Sequence, residues 1–577
     1  MERRVFVAIL LSFAVLYGYQ ALFVPPSKPT VNVVEPKERP AETTPQATPR
    51  VVETPLAEAE QEPAAQITDA AEREIVVETA TSEVVLTNRG GRILHWRLKN
   101  YRDAQGKPVD LVPSNVPADQ AKPFTLVVDD AALTRRLNGA IFRATGDSSG
   151  RVDATKQAAT LSFEFANAGG LRVRKDFRFD PKNYVVAFSA DVKNGESTLN
   201  PTIAWGPGLG DAGATAGGGS FFTGNYVQPP QAIYELDGDV ERINASKVAE
   251  KPVHEGNFRF AGVDDHYFLA AAVNAGKARL EYKPITLPGP EKTQRQLLTQ
   301  SIRFSQAPKD VRFFVGPKQF DTLQSVDQQL VWAISFGTFR FLAVPLLTSL
   351  KWVYGFLGNY GWSIIFLTVI INLLIFPLRH KSLVSMRRMQ ALQPQLKAIQ
   401  DRYSGLKMTD PGRQKMQTEI MGLYKEKGVN PASGCIPMLL TLPVLFAFYS
   451  LLSQAIELRG ASFGWWIKDL SERDPLYITP VLMALTMFWQ QKVTPSTADP
   501  AQQRVMMIMP LMFGVMFLAA PSGLVLYWFV GNLFAIGQQY FTNWWIGPPS
   551  VATVRPPAER RIKSAGAGRT AGAENKN

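Results

Sequence analysis

The sequence is poor in the residues that build reactive sites. Its 577 residues include one cysteine, Cys435, so an internal disulfide framework is excluded. It has no H-E-x-x-H and no G-x-x-x-x-G-K-[ST] segment, which excludes the common zinc-protease pattern and a P-loop nucleotide motor. Three of its four histidines, His95, His254 and His266, fall in strand-like segments, where a histidine is packed or hydrogen-bonded more often than it is a ligand. We therefore expect no catalytic residue, no metal and no cofactor.

Aromatic residues are missing from residues 25–74, which are rich in Pro, Glu, Ala and Thr. Such a segment cannot bury enough apolar surface to order itself, so we expect a disordered tether. Before it, Arg3 and Arg4 precede a weakly polar run from Val5 to Val24. A cleaved signal peptide is the alternative, but its apolar core is shorter, roughly 7 to 15 residues. Residues 1–24 therefore predict a membrane anchor whose N-terminus is cytoplasmic.

Residues 75–325 alternate apolar and polar side chains in short runs such as LRVRKDFRFD, separated by Gly, Asn and Asp. Period-two alternation predicts antiparallel strands, and their number predicts a large β-sandwich. The glycine-rich residues 211–220 are expected to form a long loop of this domain.

Residues 326–356 mix apolar and charged side chains around Pro345 and predict an amphipathic segment lying on the outer membrane surface. The chain is then expected to turn inward at Gly358–Gly361. Five apolar spans follow, and with the first anchor they make six. Their predicted bounds are 357–378, 434–456, 476–492, 505–520 and 523–541.

The distribution of charge orients these spans. Residues 379–432 carry eleven Lys or Arg and four acids, a net +7 out of the chain's +12. The loop 457–477 has three basic and four acidic residues, and the tail 547–577 is again basic. Because cytoplasmic loops are enriched in Lys and Arg, we expect both termini in the cytoplasm and the β-domain outside it.

The basic loop 379–432 has a helical pattern of its own. Apolar residues recur at three- and four-residue steps before and after Asp410–Pro411, a good cap and first-turn pair, so we expect an antiparallel helical hairpin. Its candidate contacts with a ribosome, a nascent chain or anionic lipid are Arg387, Arg388, Lys397, Arg402 and Lys415. A solvated face that obeys the positive-inside rule is the alternative.

Three features of the spans stand out. The sixteen residues from Val505 to Ala520 measure roughly 24 Å as a helix, less than a hydrocarbon core of about 30 Å, so the bilayer beside them is expected to thin. The late spans are also rich in methionine, which suits a surface that accepts varied apolar partners, although ordinary packing is equally consistent. Asn372 is an amide inside an apolar span. It either lines a hydrated site or bonds to a neighbouring helix.

Long motifs resemble one known family. NPASGCIPMLLTLPVLFAFYSLL, IELRGASFGWWIKDLSERDP, DPAQQRVMMIMPLMFGVMF and PSGLVLYWFVGNLFAIGQQ are similar to the YidC family of membrane protein insertases, related to the Oxa and Alb insertases. The resemblance covers about 330–545, and residues 1–325 resemble the Gram-negative form with its periplasmic β-supersandwich. It implies a five-helix insertase core at 357–546. The implied fold class is an α-helical polytopic membrane protein with an all-β periplasmic domain.

The resemblance also implies a function and its residues. The family inserts nascent proteins into the bacterial inner membrane and helps them fold, alone or with the Sec translocon, through a polar groove open to lipid. The implied groove residues are Thr368, Asn372, Thr441, Gln490 and Trp528. The implied slide for an incoming helix consists of Leu445, Met483, Met516 and Tyr527. Most members carry an arginine where this chain has Asn372. The family's model, in which the charged groove attracts acidic substrate tails, therefore cannot be carried over to this chain unchanged.

Two other functions fit parts of the sequence. A solute transporter also places polar groups inside the membrane, although we find no internal repeat among the spans. A membrane-anchored periplasmic protein acting on carbohydrates would use the large β-domain and would need a convergent acid–base pair. Crosslinking of a stalled nascent chain separates these possibilities, because only an insertase is expected to give abundant adducts.

Overall fold

The computed structural model describes residues 63–103, 105–113, 116, 117, 120–210, 228–288, 294–403, 412–429, 436–494 and 500–547. The predicted anchor, most of the predicted tether, the glycine-rich loop and the tail beyond residue 547 lie outside the described residues. The chain divides into two compact units, which we call the β-unit and the helical unit. The β-unit holds the described residues up to Ala333, and the helical unit those from Ile334 onward.

Nineteen strands and three α-helices lie among the described residues of the β-unit. The strands are β1 Ala65–Ile67, β2 Glu74–Thr79, β3 Ser82–Thr87, β4 Arg92–Arg102, β5 Pro108–Asp110, β6 Thr125–Val127, β7 Arg143–Thr145, β8 Arg151–Ala154, β9 Ala159–Asn167, β10 Leu171–Phe179, β11 Val185–Asn194, β12 Ser197–Leu199, β13 Thr202–Trp205, β14 Gln231–Leu236, β15 Asp239–Asn244, β16 Val253–Asp264, β17 Phe268–Pro288, β18 Gln294–Phe304 and β19 Val311–Pro317. The helices are α1 Ala131–Gly139, α2 Ala245–Val248 and α3 Phe320–Val326.

The strands form a 14-stranded sheet and a 5-stranded sheet. The central path of the larger sheet runs β1-β9-β10-β11-β19-β17-β16-β14-β15, and the smaller sheet runs β5-β4-β3-β2-β8. The 21-residue strand β17 pairs with β16 along one edge. Along its other edge it pairs first with β19 and then with β18. The larger sheet therefore forks at β17. The two sheets together confirm the predicted β-rich architecture.

Aromatic side chains join the two sheets. Trp96 of the smaller sheet contacts Phe179 of the larger one, with ring centroids 6.2 Å apart. In β10 the residues at odd positions from Leu171 to Phe179 are buried, as alternation predicts. One of them is not apolar: Lys175 is 1% exposed, and its Nζ donates to the carbonyls of Gly90, Gly91 and Phe124 at 2.7, 3.1 and 2.9 Å. Burial lowers the pKa of the Lys175 ammonium well below its usual range.

The β-unit includes residues that the composition places in the tether. β1 pairs with β9, and Arg73 donates to Asp147 Oδ2 at 2.7 Å and to Asp69 Oδ2 at 3.1 Å. Residues 63–73 are thus held by strand pairing and ion pairs, which need no aromatic side chain. Composition alone therefore does not detect their order.

Two of the β-unit histidines are hydrogen-bonded, as expected for strand residues. His95 Nδ1 lies 2.6 Å from Asp110 Oδ2, and His254 Nδ1 lies 2.9 Å from the Tyr234 hydroxyl. Burial lowers the pKa of His254. His266 contacts the Tyr267 ring edge-on, with centroids 4.2 Å apart. These neighbours account for His95 and His254 as structural residues.

A buried charged cluster holds the turn between β16 and β17. Lys318 Nζ lies 2.9 Å from Asp264 Oδ2 and donates to the Asp265 carbonyl at 2.5 Å. Asp265 is 3% exposed, and its Oδ1 accepts the N–H groups of Tyr267 and Phe268 at 2.8 and 2.7 Å. Burial raises the pKa of Asp265 to about 6, against the lowering effect of those hydrogen bonds and of Lys318.

We expect Asp265→Asn to stabilise the β-unit at high pH. The folded-state pKa of about 6 exceeds the ordinary 3.8, so ionised Asp265 costs stability above pH 6, and the cost vanishes below the ordinary pKa. Asparagine keeps an oxygen for the two N–H groups and cannot ionise. Denaturant unfolding of the full-length protein should show the variant more stable by about 1–3 kcal/mol near pH 8 and equal to the parent near pH 4. Equal stability at both pH values would contradict the assignment.

The helical unit contains eight α-helices among its described residues. They are α4 Arg340–Leu357, α5 Tyr360–Ala391, α6 Gln393–Arg402, α7 Gly412–Glu426, α8 Ile436–Gln454, α9 Ile478–Val493, α10 Pro500–Met516 and α11 Ser522–Ile546. α4 buries one stripe, Ala343, Leu347, Leu350 and Val353, and exposes Phe341, Trp352 and Phe356. The exposed side of α4 thus carries large aromatic residues, so the amphipathic surface segment predicted for residues 326–356 stays a prediction.

The predicted turn at Gly358–Gly361 is present. Gly358 has a φ of +62°, which glycine adopts without steric cost, and its N–H donates to the Tyr354 carbonyl to end α4. The Asn359 side chain then caps α5 by accepting the N–H of Trp362 at 3.2 Å. A left-handed glycine followed by a side-chain cap thus reverses the chain.

The five predicted apolar spans coincide with α5 and α8–α11, with one large difference in length. α5 has 32 residues and runs 13 residues past the predicted span end at 378, although Pro377 lies inside it. A helix can continue beyond the point where apolar residues give way to charged ones. Hydropathy therefore locates the boundary of a membrane more accurately than it locates the end of a helix. α5 is the one helix, among the described residues, that is long and apolar enough to cross a membrane. Two shorter apolar helical stretches are Leu442–Gln454, which lies within α8, and Val505–Ala519, which begins in α10 and ends in the 3₁₀ helix Phe517–Ala519.

α6 and α7 form the predicted hairpin beyond α5. Arg402 Nη2 lies 3.1 Å from Glu419 Oε2, and the Tyr403 hydroxyl donates to Glu419 Oε1 at 2.6 Å. At the other end Met389 and Leu392 belong to one buried cluster with Val429. These two sets of contacts run in opposite chain order, so the two arms are antiparallel.

Candidate functional site

One face of α5 carries a run of polar side chains. The Thr368 hydroxyl donates to the Ile364 carbonyl at 2.6 Å, and Asn372 Nδ2 donates to the Thr368 carbonyl at 2.8 Å. Arg379 Nη1 then donates to Asn372 Oδ1 at 2.9 Å. Thr368 and Asn372 are 0% and 7% exposed. We call Thr368, Asn372 and Arg379 the polar face.

The other side of the same helix is apolar and open. Phe366, Leu373 and Leu374 are 49%, 55% and 73% exposed. A helix that buries amide and hydroxyl groups while exposing large apolar residues is inverted relative to a helix of a soluble protein. It fits an apolar solvent on one side and polar protein surroundings on the other.

α11 supplies further polar groups to α5. Gln538 Nε2 donates to the Phe376 carbonyl at 3.2 Å, and the Thr542 hydroxyl lies 3.3 Å from His380 Nδ1. Spacing along α11 could have drawn attention to Gln538 and Thr542, since they lie four residues apart on one helix face.

Tyr527 joins α11 to α8. Its ring stacks on Phe448 with centroids 4.3 Å apart and planes 11° from parallel. Leu445 lies one turn before Phe448 on α8 and is half-buried. Tyr527 and Leu445, both predicted for the slide, thus lie on two helices in contact, and their role stays a prediction.

Other predicted site residues lie elsewhere. Trp528 contacts Phe513 and Phe517, with centroids 6.0 and 5.0 Å away, so it packs toward α10. Met483 is 0% exposed, and its carbonyl lies 3.5 Å from Asn532 Nδ2. Gln490 and Met516 are half-buried, and the Thr441 side chain lies outside the described part of the chain. The roles of all five residues stay predictions.

The helices of this unit approach closely at one glycine. A Cβ built on Gly514 of α10 would lie 2.7 Å from the Ala484 Cβ of α9, so only glycine fits there without a shift. Small residues at such crossings are typical of helix packing in membranes.

The five predicted hairpin residues differ in their surroundings. Arg387 is 8% exposed, and its Nη1 donates to the Gly547 carbonyl at 2.8 Å, which ties α5 to the end of α11. Arg388, Lys397 and Lys415 are exposed, and Arg402 is exposed beside Glu419. Four of the five are therefore accessible, whereas Arg387 makes an internal contact.

Sequence reasoning missed Arg379. It counted this residue among the charges of the basic loop, whereas the side chain reaches two turns back to Asn372. The available signal was its spacing of seven residues from Asn372, which places both on one helix face.

Comparisons with known proteins agree along most of the chain. The family described as YidC periplasmic domain matches residues 74–349, and the family described as 60Kd inner membrane protein matches residues 352–547. A membrane protein insertase YidC of Geobacter metallireducens is 35% identical over 94% of this chain and 98% of its own length. One of Syntrophus aciditrophicus is 33% identical over 94% and 99%. A crystal structure of an active YidC insertase covers 82% of this chain and 94% of its own at 20% identity, with a TM-score of 0.34.

Proposed function

The chain belongs to the YidC family of membrane protein insertases, which is not a family of enzymes, and on that premise we propose that it guides polypeptides into the membrane along the polar face of α5. It is an inner-membrane protein with a periplasmic domain, and its substrates are nascent membrane proteins. The observation that carries the proposal is the hydrogen-bonded run of the buried Thr368 and Asn372 and the half-buried Arg379, on a helix whose opposite side is exposed and apolar.

The energetics require no nucleotide. A substrate helix with ten Leu or Ile residues gains roughly 3 to 6 kcal/mol on entering the membrane, whereas one charge at the membrane centre costs about 2.5 to 3.5 kcal/mol. Apolar partitioning therefore drives insertion. The polar face lowers the barrier for the polar flank by offering hydrogen bonds at membrane depth.

The proposal extends to a groove open to lipid and to cytoplasm. Its lining would combine the polar face with Thr441, Gln490 and Trp528. Leu445, Met516 and Tyr527 would contact the apolar side of the incoming helix, and Met483 would pack behind them. The same surface would act as a chaperone for helices awaiting partners.

Six spans would hold the chain in the membrane, with both termini in the cytoplasm and the β-unit, a supersandwich, in the periplasm. The anchor 1–24 and helices α5 and α8–α11 would supply the spans. The support for this orientation is the net charge of +7 in residues 379–432 and the near-balanced loop 457–477.

The partners proposed are the Sec translocon, the ribosome and anionic lipids. The exposed cations Arg388, Lys397 and Lys415 and the basic tail would meet the ribosome or lipid headgroups, since clustered Lys and Arg attract phosphate. No residue of this chain is assigned to the Sec contact.

Site-specific photocrosslinking tests the proposal. A photoreactive residue at Leu445, Met516 or Tyr527 is expected to give abundant adducts with a ribosome-stalled membrane protein in native membranes. The matched control is Leu374, which is 73% exposed on the lipid-facing side of α5. A solute transporter or a carbohydrate-active protein predicts no adducts at any of these positions. Equal yields at Leu374 and Tyr527 would contradict a defined groove.

A further inference from the structure

One turn of the helical unit presents a tryptophan to its surroundings. Trp465, between α8 and α9, is 92% exposed, more than any other large apolar side chain among the described residues. Its backbone has a φ of +54°, a left-handed conformation that side chains rarely adopt. Its ring stacks on Trp466, with centroids 5.8 Å apart, and this contact leaves the indole open. Packing within the chain therefore does not offset the strain, and the side chain calls for a partner outside the chain.

Hydrogen bonds hold this turn in one shape. The Phe463 N–H donates to the Ile467 carbonyl at 3.1 Å, and the Ile467 N–H donates to the Gly464 carbonyl at 3.2 Å. We call residues 462–467 the tryptophan turn. Trp465 is thus presented on a closed, hydrogen-bonded turn, in which the direction of its side chain is set by the backbone.

The tryptophan turn is fastened to the first turn of α5. The Asn359 side chain, which caps α5, donates to the carbonyls of Ser462 and Phe463 at 3.0 and 3.4 Å. The Phe463 ring lies edge-on to Trp362, with centroids 5.5 Å apart. A Cβ built on Gly361 would overlap the Phe463 ring, so only glycine at this position leaves room for the turn. The height of the tryptophan turn along α5 is therefore fixed.

The rest of the loop is held to two other helices. Asp474 is 0% exposed, and its Oδ2 accepts the N–H and the hydroxyl of Thr479, in α9, at 2.8 and 2.7 Å. At the start of α11, the Ser522 N–H donates to the Glu472 carbonyl at 2.7 Å. The loop thus joins one end of α5, α9 and α11, and the exposed indole is fixed relative to all three helices.

This end of α5 is where its apolar side chains become exposed. α5 is long and apolar enough to cross a membrane, and Trp362 and Phe366 near its start are 56% and 49% exposed. Leu476 and Ile478, at the start of α9, are 59% and 37% exposed. Tryptophan concentrates at the level of the lipid headgroups, where its indole is half in apolar and half in polar surroundings. The tryptophan turn lies at the level where α5 would enter lipid.

A lipid surface suits this turn better than a protein pocket. A stable protein interface buries about 800 Å² on each partner, whereas the tryptophan turn projects one ring. Lys468, three residues after Trp465, is exposed beside the turn. An ammonium group next to an interfacial indole can bind a lipid phosphate. The charge and the single ring together favour phospholipid as the partner.

We propose that Trp465 and Lys468 form a phospholipid anchor in the interfacial layer of the membrane. The indole lies among the glycerol and upper acyl groups, and the ammonium lies at a phosphate. Because the tryptophan turn is fastened to α5 and its loop to α9, the anchor sets the depth at which both helices enter the membrane. The proposal goes beyond the insertase function and rests on the proposed crossing of the membrane by α5.

Photocrosslinking identifies what the indole contacts. A benzophenone amino acid replaces Trp465 in the full-length protein, which is irradiated in native membranes and weighed intact by mass spectrometry. We expect an added mass equal to one phospholipid. The matched control position is Asp129 of the β-unit, whose side chain is 80% exposed and where we expect no lipid adduct. Adding Lys468→Gln to the benzophenone protein should lower the adduct yield about twofold, because the phosphate loses its cation.

Fluorescence quenching measures the depth of the indole. The full-length protein and its Trp465→Gly variant are placed in vesicles of phosphatidylethanolamine and phosphatidylglycerol. The vesicles carry a nitroxide either at the headgroup or at the end of the acyl chain. The difference in emission between the two proteins isolates Trp465 from the other tryptophans. We expect the headgroup nitroxide to quench this difference about two- to threefold more than the deep nitroxide, as for an interfacial indole.

Trp465→Gly also separates an anchor from a residue that serves the fold. Glycine adopts a φ of +54° without strain, so the tryptophan turn should persist without the indole. In detergent the variant is therefore expected to unfold at the same temperature as the parent, or higher. Unfolding at a lower temperature would overturn the proposal, because the indole would then stabilise the protein itself.

The remaining outcomes also decide the matter. A protein adduct at position 465 in place of the lipid adduct, or equal lipid adducts at positions 465 and 129, would overturn the anchor. Equal quenching by the two nitroxides, or quenching by neither, would place the indole outside the interfacial layer. None of these results bears on insertion. A preparation that gives the expected lipid adduct and inserts no nascent membrane protein would instead contradict the proposed function.

Discussion

A Phe124→Ala variant is expected to lose about 3–5 kcal/mol of β-unit stability, the usual cost of removing a fully buried phenyl ring. Phe124 is 0% exposed, and four aromatic rings surround it. Its centroid lies 4.9 Å from both Phe188 and Phe313, 5.3 Å from Phe177 and 5.8 Å from Trp205. The cavity is hard to refill because these rings come from different strands, β10, β11, β13 and β19, that the sheet holds apart.

Denaturant unfolding of the full-length protein, followed through aromatic circular dichroism, measures this loss. Val127→Ala is the matched control, because Val127 lies three residues away and is 36% exposed. Its change should stay within about 0.5 kcal/mol. A Phe124→Ala variant as stable as the control would mean that the five rings do not form one core.

The sequence pattern predicts most of the β-unit and misses this ring. Alternation in LRVRKDFRFD predicts the buried face of β10, including the inward position of Lys175. Phe124 lies outside any alternating run and has a φ of +64°, a backbone conformation that side chains rarely adopt. The pocket that holds the Phe124 ring exists only once the two sheets have assembled. Burial of the ring there offsets the backbone strain of the positive φ.

The helical unit is predictable in its spans and less so in its polar contacts. Apolar length locates α5 and α8–α11, and the three- and four-residue steps locate α6 and α7. Neither pattern relates residues on different helices, so the contacts of Gln538 with Phe376 and of Thr542 with His380 could not be foreseen. The charge of Arg379 also led to its assignment to the basic loop. In the structure α5 continues past Arg379, and the side chain extends back along the helix to Asn372.

Removal of the hairpin is expected to impair insertion far more than removal of the β-sheets. Residues 382–428, replaced by a short Gly-Ser linker, include the last turns of α5 and the contact of Arg387 with the Gly547 carbonyl. Loss of that contact frees the end of α11, the helix that provides Tyr527, Gln538 and Thr542 to the site. The polar face therefore loses the support that the end of α11 provides.

Removal of residues 63–317 should leave much of the activity. That range contains every strand from β1 to β19 and none of the polar-face residues, so the helical unit keeps its own contacts. Cutting at Pro317, the end of β19, also leaves no unpaired strand edge to aggregate.

Rescue of cells depleted of their own insertase compares the two deletions at equal protein levels. We expect growth with the sheet deletion and none with the hairpin deletion.

Arg402→Ala controls for loss of one hairpin contact. An exposed ion pair such as Arg402–Glu419 contributes about 0–1 kcal/mol, and its removal leaves the arms packed through Met389, Leu392 and Val429. If Arg402→Ala alone abolished rescue, the hairpin would act through a charged partner rather than as support for the site. Rescue by the hairpin deletion but not by the sheet deletion would contradict the expected ranking. The site in the helical unit would then be insufficient for insertion without the β-unit.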